Sequence, residues 1–146
     1  MKPNLMCFTG EIIRGQGRGQ QLGFPTANIS LGGDVVESLP KGVFAAFVRD
    51  DEDKEFHALA NIGTKPTFGG TATTVELHIL DFKGDLYGRK LSVALSKKLR
   101  EERPFANPGE LIAQINKDIQ QARILFNNPN GSAQQLTTEV EGVDND

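Results

Sequence analysis

From Thr74 to Ile79 the chain alternates polar and apolar residues without a break: Thr74-Val75-Glu76-Leu77-His78-Ile79. A period of two predicts a strand with one face in a core, so Val75, Leu77 and Ile79 point inward and Glu76 and His78 point the other way. Leu91, Val93 and Leu95 repeat the alternation. Further apolar runs bounded by Gly, Pro and Asp clusters place strands at residues 6–13, 26–29, 42–48 and 56–62, beside those at 73–80 and 90–95. Many short strands with frequent turn residues predict a small barrel or sandwich. Asp50-Asp51-Glu52-Asp53-Lys54 reads as a charged, solvated hairpin turn.

The period then changes. Leu111, Ile115, Ile119, Ala122 and Phe126 recur three and four apart, giving one apolar stripe on a helix. Asn107 caps it, Pro108 suits its first position, and Glu110 completes a box-like start. The Asn- and Gly-containing run from Asn127 to Gly131 stops it. Beyond lies a polar, acidic stretch, so the expected organisation is one folded domain over 1–127 and a disordered tail over 128–146.

Composition narrows the class. A chain of 146 residues fits one domain. A net charge of −3, with the phenylalanines in apolar contexts, argues against a nucleic-acid binder. A single cysteine excludes an internal disulfide and suits a reducing, cytoplasmic compartment. No run approaches the ~20 apolar residues of a membrane helix. His57, His78 and Cys7 lack zinc spacing.

Gly15, Gly17 and Gly19 let a backbone approach an anion closely, and Arg14 and Arg18 lie among them. The segment is neither of two familiar phosphate loops. No Gly-Lys pair followed by Ser or Thr is present. Gly23 and Pro25 break the helix that a dinucleotide fingerprint would have to open. Thr26 and Asn28 are two apart, so in extended chain they share a face and offer neutral oxygen donors of the kind magnesium accepts. Turn capping by Thr26 and backbone satisfaction by Asn28 is the competing account of that pair. Glu76 can act as a general base for a substrate hydroxyl; a solvent-facing strand residue is its competing account.

The order of these segments is more specific than any one of them. Gly10, Arg14-Gly15, Gly17-Arg18-Gly19, Leu22 to Asn28, Asn61-Ile62-Gly63, Pro66-Thr67-Phe68, Val75-Glu76 with His78, Asp85 to Gly88, and Leu99-Arg100 followed by Phe105 together resemble the riboflavin kinase family. The similarity is greatest to the kinase module of bacterial bifunctional riboflavin kinase/FAD synthetases. It implies a mainly β fold: a six-stranded antiparallel Greek-key barrel with a C-terminal helix. It also implies transfer of the ATP γ-phosphate to riboflavin, giving FMN, with Mg2+ as cofactor. A non-catalytic flavin- or nucleotide-binding module of the same fold is the alternative.

Residue by residue, the resemblance makes Glu76 the catalytic base and Thr26 and Asn28 the metal-binding pair. Arg14, Gly17, Gly19 and Gln20, together with Thr26, match the loop over ATP. Leu86, Arg89 and Leu91 match further ATP contacts. Arg100 and Phe105 match a flavin-side loop, where residues 106–109 depart from the family's usual Asp/Ser-rich turn. The implied partners are ATP and riboflavin, with no nucleic acid and no membrane. The adenylyltransferase module of the bifunctional enzymes has no counterpart in this sequence.

Overall fold

A computed structural model describes residues 6–13 and 24–127 of the chain. Arg14, Gly17, Gly19, Gln20 and the expected tail over 128–146 lie outside the described residues. In chain order the elements are β1 (Met6–Ile13), β2 (Ala27–Ser30), α1 (Gly33–Ser38), β3 (Gly42–Arg49), β4 (Glu55–Thr67), β5 (Gly70–Ile79), β6 (Lys90–Arg100) and α2 (Pro108–Phe126). The strands close into a barrel in the order β1-β2-β5-β4-β3-β6. Every neighbouring pair is antiparallel. Because β5 and β4 lie between β2 and β3, the β2–β3 connection must cross two strands, which is the Greek-key step.

Six strands enclose room for side chains and nothing else. Ile62, Leu77 and Leu91 are fully buried at the centre, with Val48, Val75 and Val93 around them. The alternation on β5 is as the sequence predicts, since Val75, Leu77 and Ile79 are buried and Glu76 and His78 are half-buried on the outside. Gly10 is required by close packing of β1 on β2: a side chain there would run into the Ser30 carbonyl.

Four features depart from the sequence reading. The strands β4 and β6 run on to Thr67 and Arg100, because antiparallel pairing with β5 and β3 holds polar residues that carry no alternation. The one-and-a-half-turn α1 was not foreseen, being too short to show a period. It is tied to the barrel by Thr73 Oγ1, which donates to Glu37 Oε1 at 3.0 Å, and Val36 and Leu39 pack on the core. Asp50 is buried rather than solvated. Its Oδ1 accepts the backbone N–H groups of Glu52 and Lys54, so it builds the turn from inside. Asp118, an acid within the apolar stripe, is buried too.

The helix α2 packs outside the barrel on β3, β4 and β6. Ala45 and Ala122 let the backbones approach, and Leu59, Leu99, Ile119, Leu125 and Phe126 fill the seam. Asn107 caps it, accepting from the Glu110 N–H at 2.9 Å. Glu110 reaches back to the Ala106 N–H rather than to that of the cap residue, a variant of the expected box. The His57 ring stacks on Phe126 at 4.0 Å, and Arg123 forms a two-pronged pair with Asp81. Among the described residues no helix is long and apolar enough to cross a membrane.

Candidate active site

The barrel register sets polar residues of separate segments side by side. Asn28 pairs with Ile13 on β1 and with Glu76 on β5. Glu76 pairs in turn with Asn61 on β4. Directly opposed residues share a face, so Ile13, Asn28, Glu76 and Asn61 form a row across four strands on the barrel's outer wall. Asn28 and Glu76 are half-buried, and the positions beside them in their strands point into the core. Lys65, also on β4, brings its Nζ to 3.9 Å from Glu76 Oε2. That is an ion-pair distance and too long for a hydrogen bond.

The approach to β2 is held by His78. Its Nδ1 lies 2.8 Å from the Pro25 carbonyl, and the edge of Phe24 rests on its ring at 5.9 Å between centroids. Continuing the β2–β5 register by one residue puts Thr26 opposite His78, on the same face as Asn28. Thr26 itself lies one residue before β2 and is half-buried, while Asn28 stands beside the carboxylate. The next described residues back along the chain, beyond 14–23, are those at the end of β1, and Ile13 is two strands from Glu76. At ~4.8 Å per strand Ile13, the last described residue before the glycine-rich segment, stands about 10 Å from the carboxylate.

Two further segments flank the row. The turn before β6 is fastened to the end of β1, with the Gly88 N–H donating to the Ile12 carbonyl and the Ile12 N–H to that of Arg89, both at 2.9 Å. This brings Leu86, Arg89 and Leu91 to the root of the glycine-rich segment. Their side chains do not all face outward, however. Leu86 and Leu91 are buried in the barrel core, leaving only their backbone for a ligand. Arg89 is committed to the hairpin acids, bonding Asp51 through Nε at 3.0 Å and approaching Asp50 at 3.4 Å. Hydrogen bonding by that guanidinium holds the Asp51 carboxyl below its ordinary range.

On the other flank the chain after β6 folds back over β4. The Glu102 carboxylate lies on Gly63, where any side chain would collide with it. Gly63 opposes Thr74 next to the row, which explains a glycine at that point of the strand. The segment is anchored by Arg100, whose Nε and Nη2 reach Asp118 at 2.9 Å and whose Nη1 donates to the Glu101 carbonyl at 3.1 Å. Gln114 Nε2 donates to the same carboxylate at 2.9 Å. Phe105 is half-buried under two guanidinium groups, Arg103 at 4.4 Å and Arg100 at 5.6 Å. Arg100 and Phe105 are thus adjacent, with Arg100 holding the segment to α2.

Sequence reasoning gave Asn61 no role of its own, although it quoted the residue within a motif; only the closed register shows it beside Glu76. Asp118 was passed over, and its signal was a carboxylate inside an otherwise apolar stripe.

The family model for riboflavin kinase (Flavokinase) matches residues 3–126. The chain belongs to the riboflavin kinase family. It is 44% identical over 120 residues to the bifunctional riboflavin kinase/FMN adenylyltransferase of Escherichia coli strain K12, an alignment covering 82% of this chain and 38% of that protein. It is 38% identical over 117 residues to the RNA-binding riboflavin kinase RibR of Bacillus subtilis, covering 79% of this chain and 49% of the relative. The chain therefore spans less than half the length of either relative. Among solved structures, riboflavin kinase from Trypanosoma brucei has the same fold, with a TM-score of 0.69 at 23% identity, covering 97% of this chain and 92% of that one.

Proposed function

We propose that this chain is a riboflavin kinase, transferring the γ-phosphoryl group of ATP to the ribityl 5′-hydroxyl of riboflavin to give FMN and ADP. The observation that carries the reading is the outer-wall row, in which a carboxylate stands between two amides, two strands from the root of a glycine-rich segment. Residues 1–127 form the kinase domain in this reading.

Phosphoryl transfer leaves little covalent work to a protein. Positioning and charge do most of it. The riboflavin hydroxyl hydrogen-bonds Glu76, which accepts its proton as the oxygen attacks the γ-phosphorus and ADP leaves. Arg14, Gly17, Gly19 and Gln20 lie over the triphosphate, their backbone and charge offsetting its anionic oxygens. The turn carrying Leu86 and Arg89, with Leu91 at the start of β6, shapes the nucleotide side from behind. For Arg89 to meet a phosphate it has to loosen its hold on Asp51. Phe105 and Arg100 border the flavin side, where the segment over Gly63 limits the entry of water.

Thr26 and Asn28 suit a magnesium ion in donor chemistry. Both are neutral oxygen donors beside a carboxylate, and among the described residues no group of three acidic, His or Cys side chains could hold a metal unaided. An ion held there must draw most of its ligands from phosphate, as magnesium does in nucleotide sites. When bound it supplies positive charge against the triphosphate.

Chromatographic detection of FMN from riboflavin, ATP and magnesium tests the reading. Glu76→Gln keeps the shape and removes the base, so kcat should fall about 10²–10⁴-fold with an unchanged melting temperature. Flavin binding without turnover, indifferent to Glu76→Gln, would establish the non-catalytic module instead.

A further inference from the structure

We propose that His78 is a positioning residue for the metal and phosphate side of the site, acting through the Pro25 carbonyl on Thr26. The inference rests on the kinase reading above and deepens it.

Among the described residues, the chain entering β2 has few backbone restraints of its own. Pro25 has no N–H to give to a ladder. The β2–β5 pairing consists of two opposed pairs, Ala27 with Leu77 and Asn28 with Glu76. Thr26 precedes the strand. What fixes this approach is a side chain, because His78 Nδ1 meets the Pro25 carbonyl at 2.8 Å and Phe24 packs edge-on against the same ring. A carbonyl oxygen only accepts, so the proton is on Nδ1. The bond therefore specifies one tautomer and one ring orientation.

That ring is also fixed relative to the base. His78 and Glu76 are two residues apart on one face of β5, so the strand that positions the carboxylate also positions the donor holding the Thr26 segment. Thr26 follows Pro25 directly, and Asn28 opposes Glu76. A shift at Pro25 moves Thr26, while Asn28 and Glu76 stay in their ladder. The residue should thus govern metal and nucleotide engagement far more than proton abstraction.

Three substitutions separate this role from simple packing. His78→Asn keeps a donor near the Nδ1 position, His78→Gln moves the donor outward, and His78→Leu removes it while keeping bulk. Magnesium is titrated by calorimetry into each protein with a non-hydrolysable ATP analogue present, and kcat is measured at saturating magnesium. The expected affinity loss is about tenfold for His78→Leu and His78→Gln, the scale of one lost hydrogen bond, and within about twofold for His78→Asn. Nitrogen-15 spectra of the wild-type imidazole should show the Nδ1-protonated form when it is neutral.

Equal affinities across the folded variants overturn the proposal, as does an Asn variant as weak as Leu or an Nε2-protonated neutral ring. Should His78→Leu not fold, the Asn and Gln pair decides the matter. A wild type that binds the magnesium–analogue complex but forms no FMN removes the kinase reading and leaves the Asn-versus-Gln contrast to be read. A wild type that turns over with no contrast removes only the role of His78.

Discussion

Replacing Asp118 by alanine tests whether the chain after β6 is held to α2 by one buried ion pair. The carboxylate is 1% exposed. It receives Arg100 Nε and Nη2 and Gln114 Nε2, each at 2.9 Å. Removing one partner of a buried pair costs ~3–5 kcal/mol, chiefly because the other charge is stranded. Arg100 keeps a path to solvent, its side chain being 17% exposed, and it keeps the Glu101 carbonyl. The lower end, about 3 kcal/mol, therefore applies. For a domain of this size that corresponds to a fall in melting temperature of roughly 10–15 °C. Asp118→Asn keeps one acceptor and should lose about half as much stability. Joint replacement by Arg100→Met and Asp118→Leu should recover most of it, since an apolar pair of similar volume strands no charge. Urea and thermal unfolding of the three proteins would measure this. A loss below about 1 kcal/mol for Asp118→Ala would refute the reasoning, and the pair would then rank with weak surface contacts.

Two further outcomes follow from single contacts. Gly63→Ala pushes its new methyl group into the Glu102 carboxylate, which is exposed and can swing aside. Stability should change by less than about 1 kcal/mol, while the Michaelis constant for riboflavin rises, and pairing the change with Glu102→Gly should reverse that rise. The stack of His57 on Phe126 should make the docking of α2 sensitive to pH. Burial pushes the His57 pKa below its ordinary 6.5, with Glu55 and Asp81 opposing the shift and Arg123 adding to it. The folded state thus binds fewer protons than the unfolded state, so stability is fully present above pH 6.5 and is lost as pH falls below it. A melting temperature that declines in that window for wild type but not for His57→Phe would bear this out, and identical slopes would count against it.

Local periodicity made much of this fold legible. Strict alternation around Glu76 fixed its face, and the two-residue spacing of Thr26 and Asn28 predicted that they share one. Closure of the barrel was not legible, because pairing between β2 and β5 joins residues some fifty positions apart with no local trace. Asn61 illustrates the cost: its position opposite Glu76 exists only once β4 and β5 are in register. Strand alternation did assign Leu91 to the core, yet family likeness also suggested it as a nucleotide contact, and both hold only if the backbone makes that contact. The burial of Asp50 and Asp118 escaped notice for a different reason. A carboxylate is read as solvated until its partners are known, and those partners are turn amides in one case and Arg100 in the other.

A barrel this small leaves chemistry nowhere to go but its outer wall. Among the described residues, Ile62, Leu77 and Leu91 fill the interior with fully buried side chains. The wall offers something a cavity of this size would not. Residues in opposed pairs sit ~4.5–5.5 Å apart and are held there by backbone ladders rather than by their own side chains. Asn28 and Glu76 occupy such a pair, so their spacing costs the side chains little rotamer freedom. The segments that come over the wall are fastened by side chains instead: His78 to Pro25, Arg89 to Asp51, Arg100 to Asp118. Each fastening can yield without disturbing the ladder. In the proposed kinase, ligand entry can therefore loosen the flanking segments while Glu76 keeps its place, and substitutions in the fastenings should change substrate affinity before they change the chemical step.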